Sequence, residues 1–208
     1  MSVLPLAAPR LGLVRRARAL ALLGLAWHLV EAAIAITAGV VAGSVALVGF
    51  GADSLIEAFA GIVVIWLMAE SRAASPVAEL RAQRLIAASF AVLAAYIGVE
   101  AVRDLVAGHH PESSWVGIGL AAVTLATMPP LAHAKRRVAE QLGSSATASE
   151  SRQTMLCAYL SAALLVGLLA NAALGWWWAD PVTALVIAGV AVREGRDAWR
   201  GESCSCCA

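Results

Sequence analysis

The sequence has few charged residues. Asp, Glu, Lys and Arg make up 14% of its 208 residues, whereas soluble proteins carry about 25%. Because 61% of the residues are hydrophobic, the chain lacks the polar groups needed to cover its surface in water. The formal net charge of +1 gives no basis for nucleic-acid binding. Lysine is almost absent, with one residue against fourteen arginines, and the abundant alanine suggests a high-GC bacterial genome.

Long apolar stretches dominate instead, and the mean hydropathy is +0.79. A membrane-spanning helix needs roughly 20 apolar residues to cross a hydrocarbon core of about 30 Å. Six stretches reach or approach that length: 19–42, 46–68, 85–107, 115–132, 154–175 and 178–194. Four spanning helices are the minimum and six are our prediction. The sequence therefore predicts an all-α membrane protein with a six-transmembrane-helix bundle and a lipid bilayer as its surroundings.

The arginines predict the orientation of this bundle. With the N-terminus in the cytoplasm, 14 of the 15 basic residues lie in cytoplasmic segments, and only Arg103 lies on the outer side. This distribution follows the positive-inside rule. We predict a multi-pass protein of the bacterial plasma (inner) membrane with both termini cytoplasmic and His109–His110 outside. The predicted divisions are a basic N-terminus (1–18), the membrane domain (19–197) and a short Cys-rich tail (198–208), without a soluble C-terminal domain.

Two carboxylates lie inside the second predicted helix. Asp53 and Glu57 are four residues apart, which places them on one helix face. Ionisable groups in the membrane are costly, and two facing carboxylates repel each other unless a proton or a cation lies between them. We favour a site for a divalent cation. The alternative is a pair of protonated carboxyls that form hydrogen bonds to neighbouring helices.

Two further helices carry polar pairs at helical spacing. Gln153 and Cys157 are four residues apart at the start of the fifth helix, and His28 and Glu31 are three apart in the first. The first pair is a weak signal alone, because cysteine is also a common small residue of protein cores. The second pair is a ligand pair, a proton relay or an internal ion pair.

Several local features predict structure rather than chemistry. Glu100 and Arg103 are spaced for an ion pair, and Asp180 before a proline is predicted to be the N-cap of the sixth helix. The prolines in Met128–Pro130 are predicted to kink or end the fourth helix. The stretch 143–149, rich in Ser, Ala and Thr, is predicted to be a flexible linker.

Two remaining motifs give weak signals for other functions. Cys204, Cys206 and Cys207 form a CxCC tail that suits a soft metal, although incidental thiols in a tail are the simpler interpretation. Gly49–Asp53 is similar to the GxGD motif of intramembrane aspartyl proteases but has one residue too many, and no second Asp lies in another helix core. We therefore predict that the protein is not an enzyme.

The second helix resembles that of the cation diffusion facilitator family. The run Gly43–Leu47 that leads into Asp53 and Glu57 matches a small-residue start followed by an acidic pair spaced by four. The fifth helix of that family usually carries HxxxD, and alignment on the residues from Leu160 onward places Gln153 and Cys157 at the histidine and aspartate positions. The resemblance covers residues 19–197. The chain departs from the family in these two positions and in lacking the cytoplasmic metal-binding domain.

The resemblance implies a tetrahedral metal site between helices 2 and 5, proton antiport and a homodimer. It implies efflux of a zinc-like divalent cation, with cadmium, cobalt, iron and manganese as alternatives, and with no cofactor. The implied metal site and its accessory or proton-relay residues are Asp53, Glu57, Cys157 and Gln153, with Glu31 and His28. A dimer through the helices would use the small residues Gly24, Gly39, Gly117 and Gly119. The alternative function is a non-transporting membrane subunit or metal sensor with a degraded site.

Overall fold

A computed structural model describes residues 8–67, 76–143 and 145–200, and within these ranges every long element is an α-helix. The six helices are α1 (Ala8–Ala42), α2 (Val45–Leu67), α3 (Pro76–Ala107), α4 (Trp115–Leu142), α5 (Ser145–Leu174) and α6 (Ala179–Arg200). The predicted all-α, six-helix membrane bundle is confirmed. Parts of α1, α2, α4 and α5 are each long and apolar enough to cross a membrane, whereas α3 packs mainly against the more charged α6.

Three connections lie together at one end of the bundle. The Glu112 N–H donates to Ala42 O at 2.8 Å, which joins the α3–α4 loop to the α1–α2 turn. Asn171 Nδ2 donates to Pro111 O at 2.9 Å, which brings in the end of α5. Successive helices therefore alternate in direction, as six spans require. We name this the outer end, because the arginine pattern predicts it outside, and the opposite end the inner end.

The helices extend further toward the inner end than the apolar stretches do. Of the predicted kink or end at the prolines, the end is wrong, since α4 continues through Pro129 and Pro130 to Leu142. The predicted flexible linker at 143–149 is also wrong: Gly143 caps α4 with a left-handed φ of 63°, and α5 begins at Ser145. Packing of α4 against α5 and α1 outweighs the local preferences of these residues.

Asp180 does not have the predicted role of N-cap for the sixth helix. α6 begins at Ala179, and the Asp180 carboxylate accepts from Ser44 Oγ at 2.5 Å and from the Ala46 N–H at 3.2 Å. These donors lie at the N-terminus of α2, where a negative charge is favoured by the helix dipole. The side chain therefore joins α6 to α2 at the outer end of the bundle.

Ion pairs between arginine and glutamate lie on exposed surfaces of the helices. The predicted pair is confirmed, with Arg103 Nη1 2.8 Å from Glu100 Oε1. A second pair joins Arg136 Nε to Glu140 Oε1 at 2.9 Å. Exposed pairs of this kind contribute little to stability, about 0–1 kcal/mol. They offer carboxylates that can be changed without disturbing the interior.

Glycines allow helices to approach closely within the chain. A Cβ on Gly39 would lie 2.8 Å from Val48 N, one on Gly24 would lie 2.8 Å from Lys135 Nζ, and one on Gly117 would lie 2.7 Å from Leu47 Cδ2. Three of the four glycines expected at a dimer contact therefore pack inside the chain. Gly119 meets nothing within 4 Å. A homodimer stays a prediction, and the face of α4 around Gly119 is the one left open for it.

We expect Gly51→Ala to destabilise the protein by about 1–3 kcal/mol, because an added methyl group overpacks a closed helix contact. Its Cβ would lie 2.9 Å from Ile36 N, a backbone atom of α1 that cannot swing aside. Gly119→Ala is the matched control and should be neutral. Reversible unfolding of the purified protein in detergent micelles measures both. Equal stability of the two variants would contradict the tight packing of α1 on α2.

Candidate metal centre

Polar side chains from four helices meet in the interior. α1 and α2 provide His28, Glu31 and Glu57, and α4 and α5 provide Thr124 and Cys157. Each of these side chains is at most 7% exposed. The α1–α2 contact is close because Gly51 has no side chain, so groups on the two helices can reach one another. Buried ionisable groups in a membrane bundle indicate function.

Glu31 lies at the centre of this group. Its Oε2 accepts a hydrogen bond from Ser54 Oγ at 2.9 Å, and its Oε1 accepts one from Thr124 Oγ1. Cys157 Sγ lies 3.9 Å from the same Oε2, and His28 Nδ1 lies 3.2 Å from it. Glu31 therefore contacts α2, α4 and α5 as well as its own helix. The sequence pattern left its role open between ligand, proton relay and ion-pair partner.

Glu57 offers an acceptor that is not satisfied. His28 Nδ1 lies 3.1 Å from Glu57 Oε2, within ion-pair distance. Even so, this oxygen is buried and has no hydrogen-bond partner among the described residues. Glu57, His28 and Gln153 line one cavity. Glu57 therefore has a buried oxygen without a hydrogen bond to the described residues and lines a cavity beside His28.

The expected ligands are only partly brought together. Ligand atoms of His28, Glu31 and Cys157 all lie within 4.8 Å of one another, and Glu57 adjoins them through His28. This three-residue group does not include Asp53, which is buried on α2 and interacts electrostatically with Glu57 and Glu31. His28 and Glu31 on α1 thus lie at the centre of the buried group. Two of the four predicted main ligands, Asp53 and Gln153, lie outside it.

The charges in this region do not balance by themselves. Glu31, Asp53 and Glu57 are three buried carboxylates, and the basic His28 is in direct contact with Glu31 and Glu57. Repulsion between carboxylates is strong in a medium of low dielectric constant. Protons or a divalent cation would remove that repulsion. Carboxylate, imidazole and thiolate are also the ligand types that zinc accepts in proteins.

Sequence reasoning missed several residues near this group. Lys135 was counted among the basic residues of the cytoplasmic segments, but it is buried, with its Nζ 2.8 Å from Glu150 Oε1. Its signal was its identity as the single lysine among arginines. Ser54 and Thr124 have no sequence signal, because hydroxyl groups are common in membrane helices. The tail cysteines Cys204, Cys206 and Cys207 lie outside the described residues.

Comparison with known proteins identifies the family of the chain. Residues 21–200 match the family model described as the cation efflux transmembrane domain. The chain is also similar to an uncharacterized transporter of Synechocystis sp., with 28% identity over 181 residues, 82% of this chain and 58% of that protein. The chain thus spans little more than half the length of this curated relative. Because the family match includes α2 to α6 and most of α1, the chain belongs to the cation efflux family.

Proposed function

We propose that the protein transports a divalent cation across the membrane, with zinc the favoured substrate, outward and in exchange for protons. The observation that supports this most is the buried group of His28, Glu31 and Cys157 with Glu57 beside it, which combines oxygen, nitrogen and sulfur donors. The Synechocystis relative is named a transporter. A homodimer in the bacterial plasma membrane, with both termini cytoplasmic, completes the proposal.

In this proposal α1 supplies the imidazole that α5 lacks. Gln153 stands at the position where the resemblance implies a histidine, and an amide is a poor ligand for zinc. His28 Nδ1 lies within 3.2 Å of both Glu31 and Glu57, so it already faces the carboxylates. Glu57, His28 and Cys157 would bind the cation, with Glu31 positioned by Ser54 and Thr124 beside them.

Exchange for protons follows from the same donors. Carboxylates, imidazole and thiol bind a metal ion only in their deprotonated forms, so metal binding releases protons. A site loaded with a cation on one side and with protons on the other couples the two fluxes. Metal affinity should therefore rise with pH.

Purified protein in proteoliposomes tests this function. With a chelating dye inside the vesicles, Zn²⁺ uptake should depend on an imposed pH gradient and stop when an ionophore dissipates it. Cd²⁺, Co²⁺, Fe²⁺ and Mn²⁺ measured in the same way give the selectivity. If none of these ions moves but Zn²⁺ still binds to the protein, the non-transporting subunit or sensor replaces the transporter.

We expect Cys157→Asp to change selectivity while the protein stays folded. Thiolate favours soft ions and carboxylate favours harder ones, so transport of Zn²⁺ relative to Cd²⁺ should rise about tenfold, the effect of about 1.4 kcal/mol. Cys157 is buried and lies beside Glu31, so the new carboxylate would enter the same group. Cys157→Ser is the size-matched control. An unchanged ratio of the two fluxes in Cys157→Asp would remove Cys157 from the ligands.

A further inference from the structure

Lys135 is held in an oxygen-lined pocket between three helices. Its Nζ lies 2.8 Å from Glu150 Oε1 and donates to Thr154 Oγ1 at 3.1 Å. Both partners are on α5 and both are buried. On the α1 side, Gly24 leaves room for the ammonium, since a Cβ there would lie 2.8 Å from Nζ.

This pocket lies between the metal centre and the inner end. Lys135 is 20 residues beyond Trp115, the first residue of α4, which is about 30 Å at 1.5 Å per residue. Glu57 is 12 residues beyond Val45, the first residue of α2, which is about 18 Å from the same end of the bundle. One cavity nevertheless connects the two depths. It is lined by His28 and Glu57 of the metal centre and by Lys135, Glu150, Gln153 and Thr154.

We propose that Glu150 and Thr154, with Gln153 on the same cavity wall, form a second cation site between the inner end and the metal centre. The Lys135 ammonium occupies this site until a divalent cation displaces it. Its role in transport rests on the function proposed above. The donors are carboxylate, hydroxyl and amide oxygens, which suit a hard or borderline divalent cation that keeps part of its water. Closer to the outer end, the same cavity is lined by Glu57, whose Oε2 has no hydrogen bond among the described residues.

A purely structural role explains the Lys135–Glu150 ion pair less well. Buried ion pairs give little net stability compared with apolar residues of similar size. Charged residues are also costly to place within a membrane bundle. The pair instead borders a cavity, and the ammonium is replaceable because it is the end of a long side chain. A divalent cation offers Glu150 a stronger partner than the ammonium does.

The single lysine makes the test direct. An amine-reactive ester modifies Lys135 only when its ammonium leaves Glu150, and mass spectrometry separates this peptide from the labelled N-terminus. Mn²⁺ is the probe, compared with NaCl of equal ionic strength. We expect saturating Mn²⁺ to raise the rate of Lys135 acylation about tenfold, the ratio that 1.4 kcal/mol produces. An unchanged rate at saturating Mn²⁺ would overturn the proposal.

Three variants distinguish displacement of the Lys135 ammonium by Mn²⁺ from other causes of faster acylation. Glu150→Gln should give fast acylation with or without Mn²⁺, because the ammonium has lost its carboxylate. Gly24→Ala should also raise the basal rate, since its methyl group displaces the ammonium without changing any charge. Thr154→Val should weaken the Mn²⁺ response, because it removes a hydroxyl of the second site and leaves the metal centre unchanged. A full response in Thr154→Val would mean that cation binding elsewhere moves Lys135, and the second site would be wrong.

The outcome is independent of transport. If the wild-type protein shows the Mn²⁺ response but carries no metal across vesicles, the second site stands and the proposed transport function fails. If it transports metal without any change in Lys135 acylation, the transport function stands and the second site fails.

Discussion

Glu57→Gln is expected to reduce proton-driven metal flux by at least about 100-fold. Loss of a residue that only orients a metal ligand costs about 10- to 100-fold in metal affinity or activity, and loss of the ligand itself should cost more. The side chain keeps its volume and loses the charge that would bind the cation. Its Oε2 is buried, adjoins His28 Nδ1 at 3.1 Å and lines the cavity. The fold should survive, because glutamine fits the same space and its amide oxygen can still accept from His28 Nδ1.

Glu140→Gln is the matched control for that loss. The same chemical change is made on an exposed carboxylate that pairs only with Arg136 in the described structure, so flux should stay at the wild-type level. Initial rates of Zn²⁺ uptake in proteoliposomes, normalised to reconstituted protein, compare the two. Wild-type flux in Glu57→Gln would remove this residue from the site.

Asp53→Asn, measured in the same assay, separates two ligand sets. The sequence pattern predicts that Asp53 binds the cation directly and that this change abolishes transport. The buried group of His28, Glu31 and Cys157 includes neither Asp53 nor Glu57, but Glu57 adjoins the group through His28 at 3.1 Å. If flux falls as far as in Glu57→Gln, the acidic pair acts as a unit. A much smaller loss would leave the cation with Glu57 and the α1 residues.

Asp180→Ala is expected to lower the free energy of unfolding by about 3 kcal/mol, because it leaves two buried donors without an acceptor, each costing about 1–3 kcal/mol. The donors are Ser44 Oγ and the Ala46 N–H at the start of α2. Asp180 is only 1% exposed, so water cannot replace the lost acceptor easily. The α2–α6 contact at the outer end should loosen as a result.

Asp180→Asn is the control for charge. It keeps one acceptor oxygen and should lose a smaller part of the stability. Denaturant unfolding in mixed micelles measures both variants, and flux per folded molecule should remain near the wild-type level because Asp180 is not part of the metal centre. If Asp180→Ala unfolds at the same denaturant concentration as the wild type, the link between α6 and α2 does not stabilise the bundle.

The sequence by itself determined the six helices and identified the ionisable residues that lie inside them as candidates. In lipid each spanning segment must satisfy its own backbone hydrogen bonds, so a long apolar run can only be a helix. The spacing of Asp53 and Glu57, and of His28 and Glu31, placed each pair on one face for the same geometric reason. Charge placed these residues among the functional candidates, because few other reasons retain such groups in a membrane helix.

Only the tertiary structure decided which of these faces meet. Helix periodicity says nothing about neighbours, so the contacts of Glu31 with Ser54 and Thr124, and of His28 with Glu57, follow from packing alone. Packing also buried Lys135 against Glu150, where the sequence pattern had placed it in a loop. It turned Asp180 toward α2 rather than its own helix, because a buried carboxylate binds whichever donors lie across the helix contact.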